Sequence, residues 1–275
     1  IFGVNHRNLH DLTIDLDRSA RLARLAPDGA VVVAESGIRD AATVRRLGGH
    51  ADAFLVGSQL TSQPDIDRAC RELVYGPNKV CGLRSASAAQ AAKAAGALYG
   101  GLIFEEASPR NVSRETAADI IAAEPGLDYV AVSRRTRGYD ALVQPGITAV
   151  QVHAPYQGSL AAERELIQRV RDEVDVEVWR AVDMTSASDV AGIAELVDRL
   201  VLDSGAGGTG DRFDWSCITT TDALLAGGLT PDNLEEALRT GCLGLDMNSG
   251  FEDPRGHKDA AALRHGFATI RNFHY

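Results

Sequence analysis

Short apolar runs recur along the chain about every 20–30 residues, and between them apolar positions fall at i, i+3 and i+4. From Lys79 onward the runs are KVCGL, LYGGLIF, DYVAV, ITAVQVH, VEVWRAV, RLVLD, ALLAGGL and LGLDMNS. They are short and apolar on successive positions, the pattern of strands buried on both faces. Segments such as SASAAQAAKAAG, SRETAADIIAAEP, SLAAERELIQRVRDEV and TPDNLEEALRTG lie between them, and each opens on a Ser or Thr able to cap a helix. Alternating strand and helix with short loops predicts parallel pairing through right-handed crossovers. Eight such units in about 195 residues predict a complete C-terminal (β/α)8 TIM barrel. An open doubly wound sheet would want a dinucleotide fingerprint after its first strand, and CGLRSAS is not GxGxxG.

Before Gly76 the same rhythm is incomplete. IFGVN, AVVVAESG and AFLVGSQL predict three strands, separated by DLDRSARLARLAP and DAATVRRLGG. Three βα units cannot close a barrel and leave parallel edges open. Residues 1–75 therefore read as the tail of a truncated second TIM barrel, and residues 76–275 as the complete one. The opening IFGVNHRNL reads as mid-domain strand and loop, so earlier strands of a longer parent are expected to be missing.

Composition narrows the partners. With 38 acidic and 28 basic residues the formal net charge is −10, which repels a phosphate backbone and argues against nucleic acid. No run of 18 apolar residues occurs, so no membrane span is predicted. Cys70, Cys81, Cys217 and Cys242 form no CxxC pair, so neither a metal knuckle nor a disulfide framework is expected. The usage fits a reduced, cytoplasmic setting.

In a (β/α)8 barrel the chemistry sits where strands end. The polar residues at those points are Cys81, Arg110 in SPR, His153, Asp203, Asp246 and the pair Asn248–Ser249. LDSGAGGTG places Gly207 and Gly208 just past Asp203, and AGGL places Gly227 and Gly228 at the seventh strand. Such turns let backbone N–H groups close on a phosphate, whose usual site in this fold follows the late strands. A thiol and a carboxyl on one rim suggest a proton-shuttling pair. Asp203 would protonate an oxygen and Cys81, as thiolate, would take a carbon-bound proton, which requires the acid's pKa to rise and the thiol's to fall. A covalent thiol mechanism fits less well, since of seven histidines one, His153, falls at a strand tip. The competing reading is a barrel that binds a phosphosugar without turning it over.

Taken in order, KVCGL, YGGLIF…SPRNV, VQVH, LDSGAGGTGDRFDW, LLAGGL and GLDMNSGFEDPRGHKD resemble the phosphoribosylanthranilate isomerase family of tryptophan biosynthesis. The resemblance implies an Amadori rearrangement of N-(5-phosphoribosyl)anthranilate to 1-(2-carboxyphenylamino)-1-deoxyribulose 5-phosphate, with no metal and no organic cofactor. Cys81 matches the family's general base and Asp203 its general acid. Arg110 is similar to the arginine that meets the anthranilate carboxylate, a ligand suited to a planar guanidinium. Asp246 and His153 match residues lining the sugar, while Gly207, Gly208, Gly227, Gly228, Asn248 and Ser249 fall in the phosphate loops. Ser133 stands where the family carries an aromatic, so packing at the third barrel strand is expected to differ. The thiol base resembles the tryptophan-specific type rather than dual enzymes that also serve histidine synthesis.

The first 75 residues resemble the end of indole-3-glycerol-phosphate synthase. Asn5 and Arg7 align with its sixth-strand loop, Glu35 and Ser36 with its seventh, and Gly57 and Ser58 with its eighth. Synthase and isomerase fused in this order would give a lyase–isomerase (decarboxylase and isomerase) parent. The synthase's catalytic lysines lie on earlier strands, and no lysine precedes Lys79 here, so the remnant is not expected to carry that reaction.

Overall fold

The computed structural model describes residues 1–205 and 211–275. Contacts divide the chain into one unit of Ile1–Gly76 with Ile270–Tyr275 and another of Pro77–Thr269.

In the first unit β1 (Phe2–Asn5), β2 (Val32–Glu35) and β3 (Ala53–Leu55) form a parallel sheet in that order. Ala34, Ile38, Leu47 and Leu73 make its small core, with Val44 and Phe54 packed against them. Asp40 and Asp65 cap the helices Ala41–Leu47 and Ile66–Tyr75 by accepting from the N–H groups of Thr43 (2.7 Å) and Arg68 (2.9 Å). Asn5 and Glu35 end adjacent strands in register. Arg7, Ser36, Gly57 and Ser58 lie in the segments that follow the three strands. Arg7 is held locally, its N–H donating to Asn5 Oδ1 (2.9 Å) and its guanidinium to the Leu12 carbonyl (3.2 Å). Leu55, on edge strand β3, is exposed.

In the second unit, apolar residues on both faces of each strand must be covered on both sides. Sheet closure inside and helices outside achieve this. The strands are β4 (Lys79–Cys81), β5 (Tyr99–Ile103), β6 (Asp128–Ser133), β7 (Ile147–Val152), β8 (Glu177–Asp183), β9 (Arg199–Asp203), β10 (Ala223–Leu225) and β11 (Gly244–Met247). All eight pair in parallel, and β11 pairs back on β4 to close the barrel. Three of the predicted caps form: Ser85, Ser113 and Ser159 accept from the N–H three residues on.

Inward residues fill the barrel in layers. Tyr99 and Trp179 meet edge to face at 4.8 Å, with the Arg199 guanidinium over both rings. Val130, Val132, Ala149, Ala181, Val201 and Leu224 continue the core upward. Outside the sheet, Arg180 of β8 and Glu163 of the helix Leu160–Glu173 form a fully buried two-contact ion pair at 2.8 Å. The same guanidinium donates to the carbonyls of Val152 (3.2 Å) and Ala154 (2.7 Å), on either side of His153.

Candidate active site

A cavity of about 530 Å³ opens at the C-terminal ends of the barrel strands. Strand alternation aims Cys81 (β4), Gln151 (β7) and Asp203 (β9) into it, and the loops that follow contribute Arg110, His153, Gly227, Gly228, Asn248 and Ser249. Asp246 of β11 lines it as well. Every sequence-predicted residue of the barrel is thus gathered at one cavity except Gly207 and Gly208, which lie outside the described residues.

Buried Gln151 Oε1, His153 Nε2 and Asp246 Oδ1 each lack a hydrogen-bond partner among the described residues. Three such atoms around one cavity call for a polar molecule inside it, because an unmade buried hydrogen bond costs about 1–3 kcal/mol. Asp203 Oδ1 accepts from the Ser204 N–H (2.7 Å), and Oδ2 lies 3.4 Å from His153 Nε2 without hydrogen-bond alignment.

On the β10–β11 side, Gly227 and Gly228 take φ of 78° and 66°. A Cβ on Gly227 would meet Ser204 Oγ at 2.5 Å, so both conformation and space require glycine there. Asn233 fixes this turn by donating to the Gly228 carbonyl (2.8 Å). The N–H groups of Gly227, Gly228 and Ser249 meet no protein acceptor among the described residues. Unpaired backbone donors on a cavity wall suit an anion.

Arg110 is already engaged. Its Nε and Nη2 donate to the two oxygens of Glu252, both at 2.8 Å, and Lys258 donates to the same carboxylate at 2.6 Å. Lys258 also donates to Asn248 Oδ1 (3.0 Å). No local pattern announces this clamp, which joins residues 142 positions apart. It leaves Nη1 of Arg110 as the face available to a further carboxylate. Ser133 is buried and donates to Glu105 Oε1 (2.6 Å), while the buried Tyr139 hydroxyl donates to the Ser133 carbonyl (3.0 Å). The end of β6 is thus a hydrogen-bonded polar wall.

Burial dominates the electrostatics. It lifts the Asp203 carboxyl above its ordinary range despite the Ser204 N–H. It also lifts the Cys81 thiol, against the pull of Lys79. The acid moves in the direction expected of a proton donor, and the thiol moves the other way. Lys79, beneath the cavity, donates to Asp246 Oδ2 at 2.6 Å. Burial, with help from the cations Lys79 and Arg180, pushes His153 down to about 4, so its imidazole is neutral.

A pH dependence follows. The folded-state value of about 4 lies below the ordinary 6.5, so as pH falls the unfolded chain takes up this proton first. Stability is complete above about 6.5 and is lost toward pH 4, by about 3 kcal/mol if the whole shift is realised. Urea unfolding between pH 7 and 4 is expected to show a smaller slope in His153→Gln than in the wild type.

These features define the larger unit as a (β/α)8 barrel of the type whose chemistry sits at the strand ends. Comparison with known proteins gives the family. Residues 78–268 match the model of N-(5'-phosphoribosyl)anthranilate (PRA) isomerase, and residues 1–73 match that of indole-3-glycerol phosphate synthase. The chain belongs to the PRA isomerase family, joined to a synthase-family segment. It is 62% identical to the tryptophan biosynthesis protein TrpCF of Corynebacterium glutamicum, over 100% of this chain and 61% of that protein. With the TrpCF of Salmonella typhi it shares 41% identity over 99% of this chain and 60% of the relative. The chain thus spans about three fifths of these curated relatives. Among solved structures, the phosphoribosyl anthranilate isomerase of Thermus thermophilus is 27% identical with a TM-score of 0.60, covering 70% of this chain and 96% of that one. TrpF of Jonesia denitrificans is 30% identical with a TM-score of 0.58, covering 71% and 97%. No helix among the described residues is long and apolar enough to cross a membrane.

Proposed function

We propose that the barrel catalyses the Amadori rearrangement of N-(5-phosphoribosyl)anthranilate to 1-(2-carboxyphenylamino)-1-deoxyribulose 5-phosphate. The observation that carries this reading is the placement of Cys81 and Asp203 on one cavity, together with three polar atoms and three backbone N–H groups that meet no partner among the described residues.

In this reading the phosphate lies against Gly227, Gly228, Asn248 and Ser249, with Gly207 and Gly208 completing the cradle. Nη1 of Arg110 receives the anthranilate carboxylate. Asp203, whose carboxyl burial shifts upward, gives its proton to the furanose ring oxygen as the C1–oxygen bond breaks, leaving an open-chain iminium and an Asp203 carboxylate. The Cys81 thiolate removes the proton from C2, and the electron pair moves into an enolamine. The Cys81 thiol then returns that proton at C1 while the C2 hydroxyl gives its proton to the Asp203 carboxylate, which forms the 2-ketone and restores both groups; two protons have moved, from C2 to C1 and from the C2 hydroxyl to the C4 oxygen. Neutral His153 and Asp246 hold the sugar hydroxyls.

The three-stranded unit carries, in this reading, part of an indole-3-glycerol-phosphate synthase site, with Asn5, Arg7, Glu35, Ser36, Gly57 and Ser58 at its strand ends. The synthase reaction itself is not assigned to these three strands. The test is to add freshly generated substrate to the purified chain and follow its fluorescence. Loss of signal with formation of the ketose supports the isomerase. Tight binding with no loss would make the barrel a phosphosugar binder instead.

A further inference from the structure

Lys79 does not touch the cavity. It is wholly buried beneath it, two residues before Cys81 on the same inward face of β4. Its Cα pairs across the sheet with that of Asp246, to which its ammonium donates at 2.6 Å. No substrate in the cavity can reach it. A buried ion pair is a poor route to stability, because an apolar pair of similar volume fills the same space without desolvating two charges. This one is not even closed on itself, since Asp246 Oδ1 has no hydrogen-bond partner among the described residues.

The surroundings set the lysine beside the thiol. A Cβ on Gly101 of β5 would sit 2.6 Å from Cys81 Sγ and 3.0 Å from Lys79 Cε, so thiol and lysine stem share the space that this glycine leaves. The positive charge of Lys79 pulls the thiol toward its ionised form, against burial. The other charged groups facing Cys81 are differently occupied. Arg110 and Lys258 are both held by Glu252, and Asp246 bears a charge of the wrong sign. His153 and Asp203 complete the polar ring around the cavity.

We propose that Lys79 is a positioning residue for the acid–base pair: its buried ammonium stabilises the Cys81 thiolate, and Asp246 anchors that ammonium. This rests on the reading of Cys81 as the base. A thiol enclosed by protein ionises poorly unless a cation is kept beside it. Lys79 supplies that cation from below, where it neither competes for the substrate's anionic groups nor occupies their volume.

The test measures ionisation directly rather than turnover. The full chain is alkylated with iodoacetamide across a pH series, and modification is quantified on the peptide that carries Cys81. Lys79→Met is compared with the wild type. Lys79→Met/Asp246→Asn is compared with Asp246→Asn, so that no unpaired carboxylate is left buried if the single variant fails to fold. An opposite charge within about 4–6 Å moves a pKa by about 1–3 units. Each comparison should therefore raise the alkylation midpoint by at least about one unit, slowing modification about tenfold or more below it. An unchanged midpoint in either folded pair, with turnover reduced, makes Lys79 a structural residue and overturns the proposal. Turnover by Cys81→Ala is the separate check on the base itself: if it persists, the base reading fails while the midpoint shift still stands.

Discussion

Replacing Cys81 by alanine is expected to lower turnover of N-(5-phosphoribosyl)anthranilate by about 10²–10⁴, and Asp203→Asn by a similar factor, with both variants folded. The two residues carry separate steps, ring opening and C2 deprotonation, and the cavity holds no obvious substitute for either. Neutral His153 is near Asp203, yet with a pKa of about 4 it has no proton to give at pH 7. The loss should fall on kcat, because the groups assigned to the phosphate and the carboxylate are untouched. Stability provides the control. Burial raises the Asp203 carboxyl, so the folded state holds this proton more tightly than the unfolded chain. That contribution is present below the unfolded value and is lost as pH rises through the folded one. At pH 7, Asp203→Asn should therefore be at least as stable as the wild type, with the difference closing in acid. Thermal melts at pH 7 and pH 4 check this beside the kinetics.

The largest loss of stability is expected from Arg180→Met. The guanidinium holds both Glu163 oxygens at 2.8 Å and the carbonyls of Val152, Ala154 and Ala181, with neither partner of the ion pair more than 1% exposed. Removing one side strands a carboxylate in the barrel wall, which costs about 3–5 kcal/mol. For a unit of this size that is a fall in Tm of about 10 °C. Glu163→Leu/Arg180→Met removes both charges and should recover part of the loss, though the carbonyls flanking His153 stay unpaired. A cost below about 1 kcal/mol for Arg180→Met alone would mean that water enters the site. Because Val152 and Ala154 bracket His153, the single variant should also weaken substrate binding.

The strands were legible because a barrel strand buried on both faces must be apolar on consecutive positions, a signal that a helix surface does not imitate. Strand tips were legible for the opposite reason: Cys81, His153 and Asp203 are the polar residues at which apolar runs stop. Lys79 escaped, although it heads KVCGL, because a lysine opening a strand normally points to solvent. Only barrel closure, with β11 laid against β4, turns it inward onto Asp246. The hold of Glu252 on Arg110 also escaped, since loops far apart in sequence meet only once the rim is assembled. The thiol's ionisation could not be read from residues at all, as it depends on the balance of burial against Lys79. The last six residues group with the first unit, which no local pattern announces.

The most direct test is a crystal structure of the wild-type chain bound to a non-reactive analogue of the product whose C2 carbonyl has been reduced to an alcohol. Cys81 Sγ is expected within about 3–3.5 Å of the sugar C1–C2 bond, the separation from which a proton transfer can proceed. Asp203 should face the oxygen at C4, the carboxylate should sit on Nη1 of Arg110, and the phosphate should lie against Gly227, Gly228 and Ser249. An analogue bound with its phosphate at Arg110, or with Cys81 out of reach of C1 and C2, would contradict it.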